Sequence, residues 1–157
     1  MSSTRYVIPD EPSPSKLEHL VVDPMWPFFG LMLGGLWLAL PWYVLNGIAL
    51  GSPTRRREWL ALATAALGSL GLLVLIVQAA KAGWIAGVQI PLAFLSVTLL
   101  KLGMGFAVYH LQSRSFQLWT HFGGVPRNGI LLAVAGVFVE PFLFRLLGQG
   151  WLTAVLD

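Results

Sequence analysis

Cysteine is missing from all 157 residues, which excludes disulfides, thiolate metal sites and thiol catalysis. Charge is nearly as scarce. Asp, Glu, Lys and Arg together make up 11% of the chain, against about 25% in an ordinary soluble domain, too few to wet a water-facing shell. Histidine occurs three times, as His19, His110 and His121. No two of them fall at matching depth on facing helices, as bis-histidine haem ligation requires. His110 and His121 can meet at one interface, but without a nearby acid they make a poor metal site. The turn Phe122-Gly123-Gly124-Val125-Pro126 lacks the Lys-Ser/Thr of a phosphate loop, and no serine stands in a Gly-x-Ser-x-Gly setting. Ser96 and Thr98 are expected to bond their own helix backbone. The first 24 residues carry no apolar run of the kind a secretory signal needs. No enzyme, no cofactor and no metal site is expected.

What the chain does have is grease. Apolar residues are 56% of the total and the mean hydropathy is +0.72, gathered in blocks near the roughly 20 residues a helix needs to cross a bilayer. The expected fold is an all-α membrane protein, a bundle of about four transmembrane helices. A polar, mostly flexible tail, 1–24, precedes a transmembrane domain, 25–157, with spans at about 27–50, 59–80, 90–111 and 130–147. Ser15-Lys16-Leu17-Glu18 reads as a capping box opening a short helix that Pro24 stops, lying at the membrane surface. Pro41 is expected to kink the first span, and the Gly30/Gly34 pair to admit a close neighbour. Ser52 is placed as an N-cap with Pro53 at the first helical position. Asn46 is expected to cap the turn that follows it. Ala61, Ala65 and Ser69 form a smooth stripe on span two, and the short link 81–88 makes spans two and three antiparallel neighbours. Phe116, Trp119 and Phe122 recur at helical spacing, predicting a short interfacial helix between spans three and four.

The basic residues sit beside the apolar blocks, as topology signals and lipid contacts, with no nucleic-acid footprint. The loops after spans one and three hold Arg55, Arg56 and Arg57, then Arg114 and Arg127, while Arg5, Lys16 and Lys81 fall on the other side. The positive-inside bias therefore predicts a multi-pass cell-membrane protein with arginine-rich loops in the cytoplasm and both termini outside.

Two charges stand deep in the spans. Lys101 and Glu140 each lie ten residues inside adjacent antiparallel spans, or about 15 Å along a helix, near the middle of a roughly 30 Å core. They are expected to face each other, either as a structural pair that docks two spans or as part of a proton or ion pathway.

Gly34-Gly35, Asn46 and Leu50-Gly51 ahead of an arginine cluster, with Phe122-Gly123-Gly124 after a glutamine- and arginine-containing helix, resemble small bacterial integral membrane proteins of uncharacterised function. The resemblance implies a bacterial inner-membrane location and no activity. The functional expectation is a non-catalytic subunit or scaffold of a membrane assembly, partnered by the bilayer and by itself or another membrane protein. The alternative is a small oligomeric transporter or channel using Lys101 and Glu140.

Overall fold

A computed structural model describes residues 16–139. Among them every regular element is a helix: a 3-10 turn at Glu18–Leu20, then α1 (Met25–Gly34), α2 (Leu36–Leu50), α3 (Arg55–Lys81), α4 (Gln89–His121) and the apolar α5 (Ile130–Val139). Among the described residues α3 and α4 alone are long and apolar enough to cross a membrane, which supplies two candidates for the four expected spans.

α3 and α4 form one antiparallel hairpin, as the short link predicts. Residues equally far in sequence from Ile85 meet across it: Glu58 bonds Gln112, and Leu62 shares a buried cluster with Val108. The stripe of small residues faces inward, with Ala65 and Ser69 buried and Ala61 packed against the core. Gly51, at φ 61° and ψ 38°, closes α2 in the left-handed conformation that glycine adopts without penalty. The Gly51 N–H donates to the carbonyl of Ile48 and that of Ser52 to Gly47, which throws Ser52 back toward the bundle. α3 then begins at Arg55 without a side-chain cap, so Ser52 is not its N-cap.

α4 runs unbroken for 33 residues, about 50 Å, and there is no separate interfacial helix at 112–122. No glycine or proline interrupts the chain between Gly105 and Gly123, so the helix has no reason to stop where a bilayer would. Phe116 and Trp119 face inward, packing on Val21, Ala49 and Leu50. His110 and His121, being on this one helix about 16 Å apart along its axis, cannot approach each other.

The expected first span is folded back on itself. Gly35, at φ 75° and ψ −174°, separates α1 from α2, a conformation essentially reserved for glycine. A methyl group added at Gly30 would lie 3.1 Å from the Trp42 ring, and one at Gly34 2.9 Å from Leu38. A continuous helix would hold residues 30 and 42 about 18 Å apart. The two helices are therefore an antiparallel hairpin, with the chain reversing at Gly35, while Pro41 is accommodated inside α2.

This reversal moves the N-terminal segment. Residues 18–24 lie at the arginine-bearing end, not the opposite one: Val21 packs with Leu50 and Trp119, and the Arg127 N–H donates to the Val21 carbonyl at 2.8 Å. Val21 and Val22 are buried, so this stretch belongs to the fold and not to a loose tail. α5 enters from the same end and lies on the hairpin, with Ala133 against Leu38 and Trp42 and Gly136 against Gly34.

Candidate functional site

The polar atoms of the core converge where α2, α3, α4 and the N-terminal segment meet. Asn46 on α2, Ser52 in the turn, Glu58 in the first turn of α3, and Gln112 and Ser115 on α4 are all buried. Buried polar groups without partners are costly, so their hydrogen bonds can be traced as a closed account.

The trace starts at the backbone, which fixes the sense of every later bond. The Val22 N–H can only donate, and it donates to Asn46 Oδ1 at 3.0 Å. Asn46 Nδ2 therefore faces Gln112 and donates to its Oε1 at 3.1 Å. Gln112 Nε2 then spends one proton on the Tyr43 carbonyl and the other on Glu58 Oε2, each at 2.9 Å. The second carboxyl oxygen, Oε1, accepts from the Ser52 hydroxyl and from Thr54 Oγ1, the latter at 2.8 Å. With the Ser52 proton committed, the Ser115 hydroxyl 3.4 Å away is the donor to Ser52. Six side chains and the Val22 N–H form one directed network that ends on Glu58, with the Tyr43 carbonyl as a side branch.

Packing around this chain is close. Gly47 presents no side chain there, and a methyl group on it would come within 2.6 Å of Glu58 Oε2 and 3.0 Å of Gln112 Nε2. One helical turn deeper, Tyr43 Oη donates to the Gly105 carbonyl at 3.1 Å, tying α2 to α4 again. Asn46 thus joins the N-terminal segment to α4 and does not cap its own turn. Glu58 was not among the sequence-derived candidates, yet its partners are all neutral residues of this chain among those described.

Lys101 and the arginine cluster fall elsewhere. Lys101 lines a cavity of about 210 Å³ with Leu31, Met32, Gly35, Thr98 and Leu102, beside the hairpin tip. It has no hydrogen-bond or ion-pair partner among the described residues. Glu140 lies outside the described residues, as does the rest of the fourth predicted span, 140–147. Arg55, Arg56 and Arg57 form the exposed first turn of α3. Arg57 shares a second cavity, of about 260 Å³, with Arg114, Thr54 and Ser115, so two basic clusters far apart in sequence meet at one end of the bundle.

No protein-family model, curated protein or solved structure matches this chain.

Proposed function

We propose that this chain is a non-catalytic membrane subunit or scaffold, embedded through α3 and α4 and through a re-entrant α1–α2 hairpin that dips in and returns to the same face. The observation that carries this reading is the closed hydrogen-bond chain on Glu58. Its carboxyl and both amides are spent on their own neighbours, which supports a docking role and leaves no group aimed at a substrate. The outer surface supports the membrane part. Only 22% and 11% of the most apolar stretches of α3 and α4 is buried, and Leu60, Leu67, Leu75, Leu92 and Leu99 point outward. Apolar surface of that extent needs lipid or a protein partner to cover it.

In this reading the two hairpins are held together by packing and internal hydrogen bonds, because lipid offers no hydrophobic reward for helix association. The non-helical backbone at Gly35 is half-buried, beside a cavity lined by Thr98, Lys101 and Leu102 of α4, the setting in which such backbone is tolerated at membrane depth. The basic residues Lys16, Arg55, Arg56, Arg57, Arg114 and Arg127 then share one face, and the link 82–88 on the other has only Lys81 beside it. The positive-inside rule assigns that shared face, N-terminal segment included, to the cytoplasm.

A second reading, a small oligomeric transporter or channel, is favoured by Lys101. An ammonium beside a cavity at the hairpin tip, without a partner among the described residues, is the kind of group that marks ion pathways in membranes. Purification in mild detergent, with identification of what co-purifies, tests the first reading; a stable stoichiometric membrane partner or self-assembly is expected. Lys101→Met abolishing ion or solute flux in proteoliposomes, with assembly intact, would replace it with the second.

A further inference from the structure

The cavity between the start of α3 and the outer third of α4 is built unlike the rest of the surface. Its walls are Pro53, Thr54, Arg57, Leu111, Arg114, Ser115 and Leu118. Arg57 and Arg114 line it from two different helices, and neither guanidinium has a hydrogen-bond or ion-pair partner among the described residues. Ser115, only 3% exposed, lines the inner wall of the same space, its hydroxyl turned toward Ser52. The start of α3 adds the positive end of a 27-residue helix.

We infer that this cavity binds a phosphate-class oxyanion, held by Arg57 and Arg114. Guanidinium forks match phosphate oxygens in geometry as well as charge. The volume, about 260 Å³, sits just below the roughly 300–1,000 Å³ of small-molecule pockets, the right scale for a headgroup. Leu111, Leu118 and Pro53 supply an apolar wall on which the glycerol end of an anionic phospholipid would rest. Free phosphate offers the same oxygens without using that wall. The lipid form rests on the membrane reading above.

The full chain is reconstituted in nanodiscs of phosphatidylcholine alone and of phosphatidylcholine with phosphatidylglycerol. Retained lipid is then counted by native mass spectrometry after release. Each arginine near a headgroup is expected to contribute about fivefold in anionic-lipid preference. Arg57→Gln and Arg114→Gln should each lose that factor, while Arg56→Gln, whose side chain is outside the cavity, should keep the wild-type preference. Inorganic phosphate titrated into phosphatidylcholine discs distinguishes the sources: saturable binding that both cavity variants lose supports the same site with a soluble ligand. The inference is overturned by wild type that neither prefers phosphatidylglycerol nor binds phosphate, or by Arg56→Gln losing as much as the cavity variants. Failure to enter any disc would instead strike at the membrane reading.

Discussion

Gln112 Nε2 donates to Glu58 Oε2 at 2.9 Å while donating its other proton to the Tyr43 carbonyl, so one amide on α4 pins both α2 and α3. Because each proton has one destination, the two ends of this pair respond differently to substitution. Glu58→Gln keeps an oxygen toward Gln112 and offers an amide to Ser52 and Thr54, whose hydroxyls can turn to accept. We expect it to cost about 1 kcal/mol, and Glu58→Ala, which strands the buried donors of Gln112 and Ser52 and the half-buried one of Thr54, about 3 kcal/mol or more. Thermal unfolding in detergent distinguishes the two; equal losses would mean that the charge, and not the bonding pattern, is what matters.

Asn46→Asp is a sharper probe of the chain's direction. An aspartate can still accept from the Val22 N–H, but it turns an acceptor toward Gln112 Oε1, where a donor stood. Destabilisation of about 1–3 kcal/mol is expected, together with faster hydrogen exchange at Val22. Wild-type exchange there would show that the segment is not held by Asn46.

Two helical glycines should respond in opposite senses. Gly47→Ala forces a methyl group to 2.6 Å from Glu58 Oε2, and overpacking of this kind costs about 1–3 kcal/mol. Gly71 has nothing within 4 Å of an added methyl, so Gly71→Ala should gain up to about 1 kcal/mol from helix propensity. Melting temperatures moving the same way in both variants would contradict the packing described around Glu58.

Much of this arrangement can be read from the chain, and the rest fails for identifiable reasons. The α3–α4 hairpin follows from two long apolar runs and a short glycine-containing link. The same ruler that pairs residues about Ile85 puts Glu58 opposite Gln112, a signal present in the sequence that the weight given to the neighbouring arginines and to deeper charges hides. The α1–α2 reversal is hidden because both arms are uniformly apolar and together match the length of one span. Gly30 and Gly34 then look like a packing pair, and Pro41 like the only kink. The end of α4 is misplaced because bilayer thickness, and not a helix stop signal, sets the boundary at Leu111. Lys101 stands out in the sequence as a charge inside an apolar run, but its surroundings depend on where the hairpin tip lands, which no local pattern encodes.

Gly35→Ala should be among the most damaging single substitutions in the hairpin. The backbone at φ 75° and ψ −174° is closed to residues with a Cβ, and forcing it costs about 1–3 kcal/mol. Lowered thermal stability with loosened protection of α1, and α3–α4 less affected, is expected; a neutral effect would mean that the reversal lies elsewhere.

The lack of native cysteine permits a direct test of the re-entrant hairpin. Single cysteines replace Glu18, Arg56 and Trp84, all exposed, and are reacted with a membrane-impermeant maleimide in sealed vesicles of both orientations. The hairpin predicts that positions 18 and 56 label from the same face and position 84 from the other. Labelling of position 18 together with position 84, opposite to 56, would mean that residues 25–50 cross the bilayer once, and the fold proposed here would be wrong.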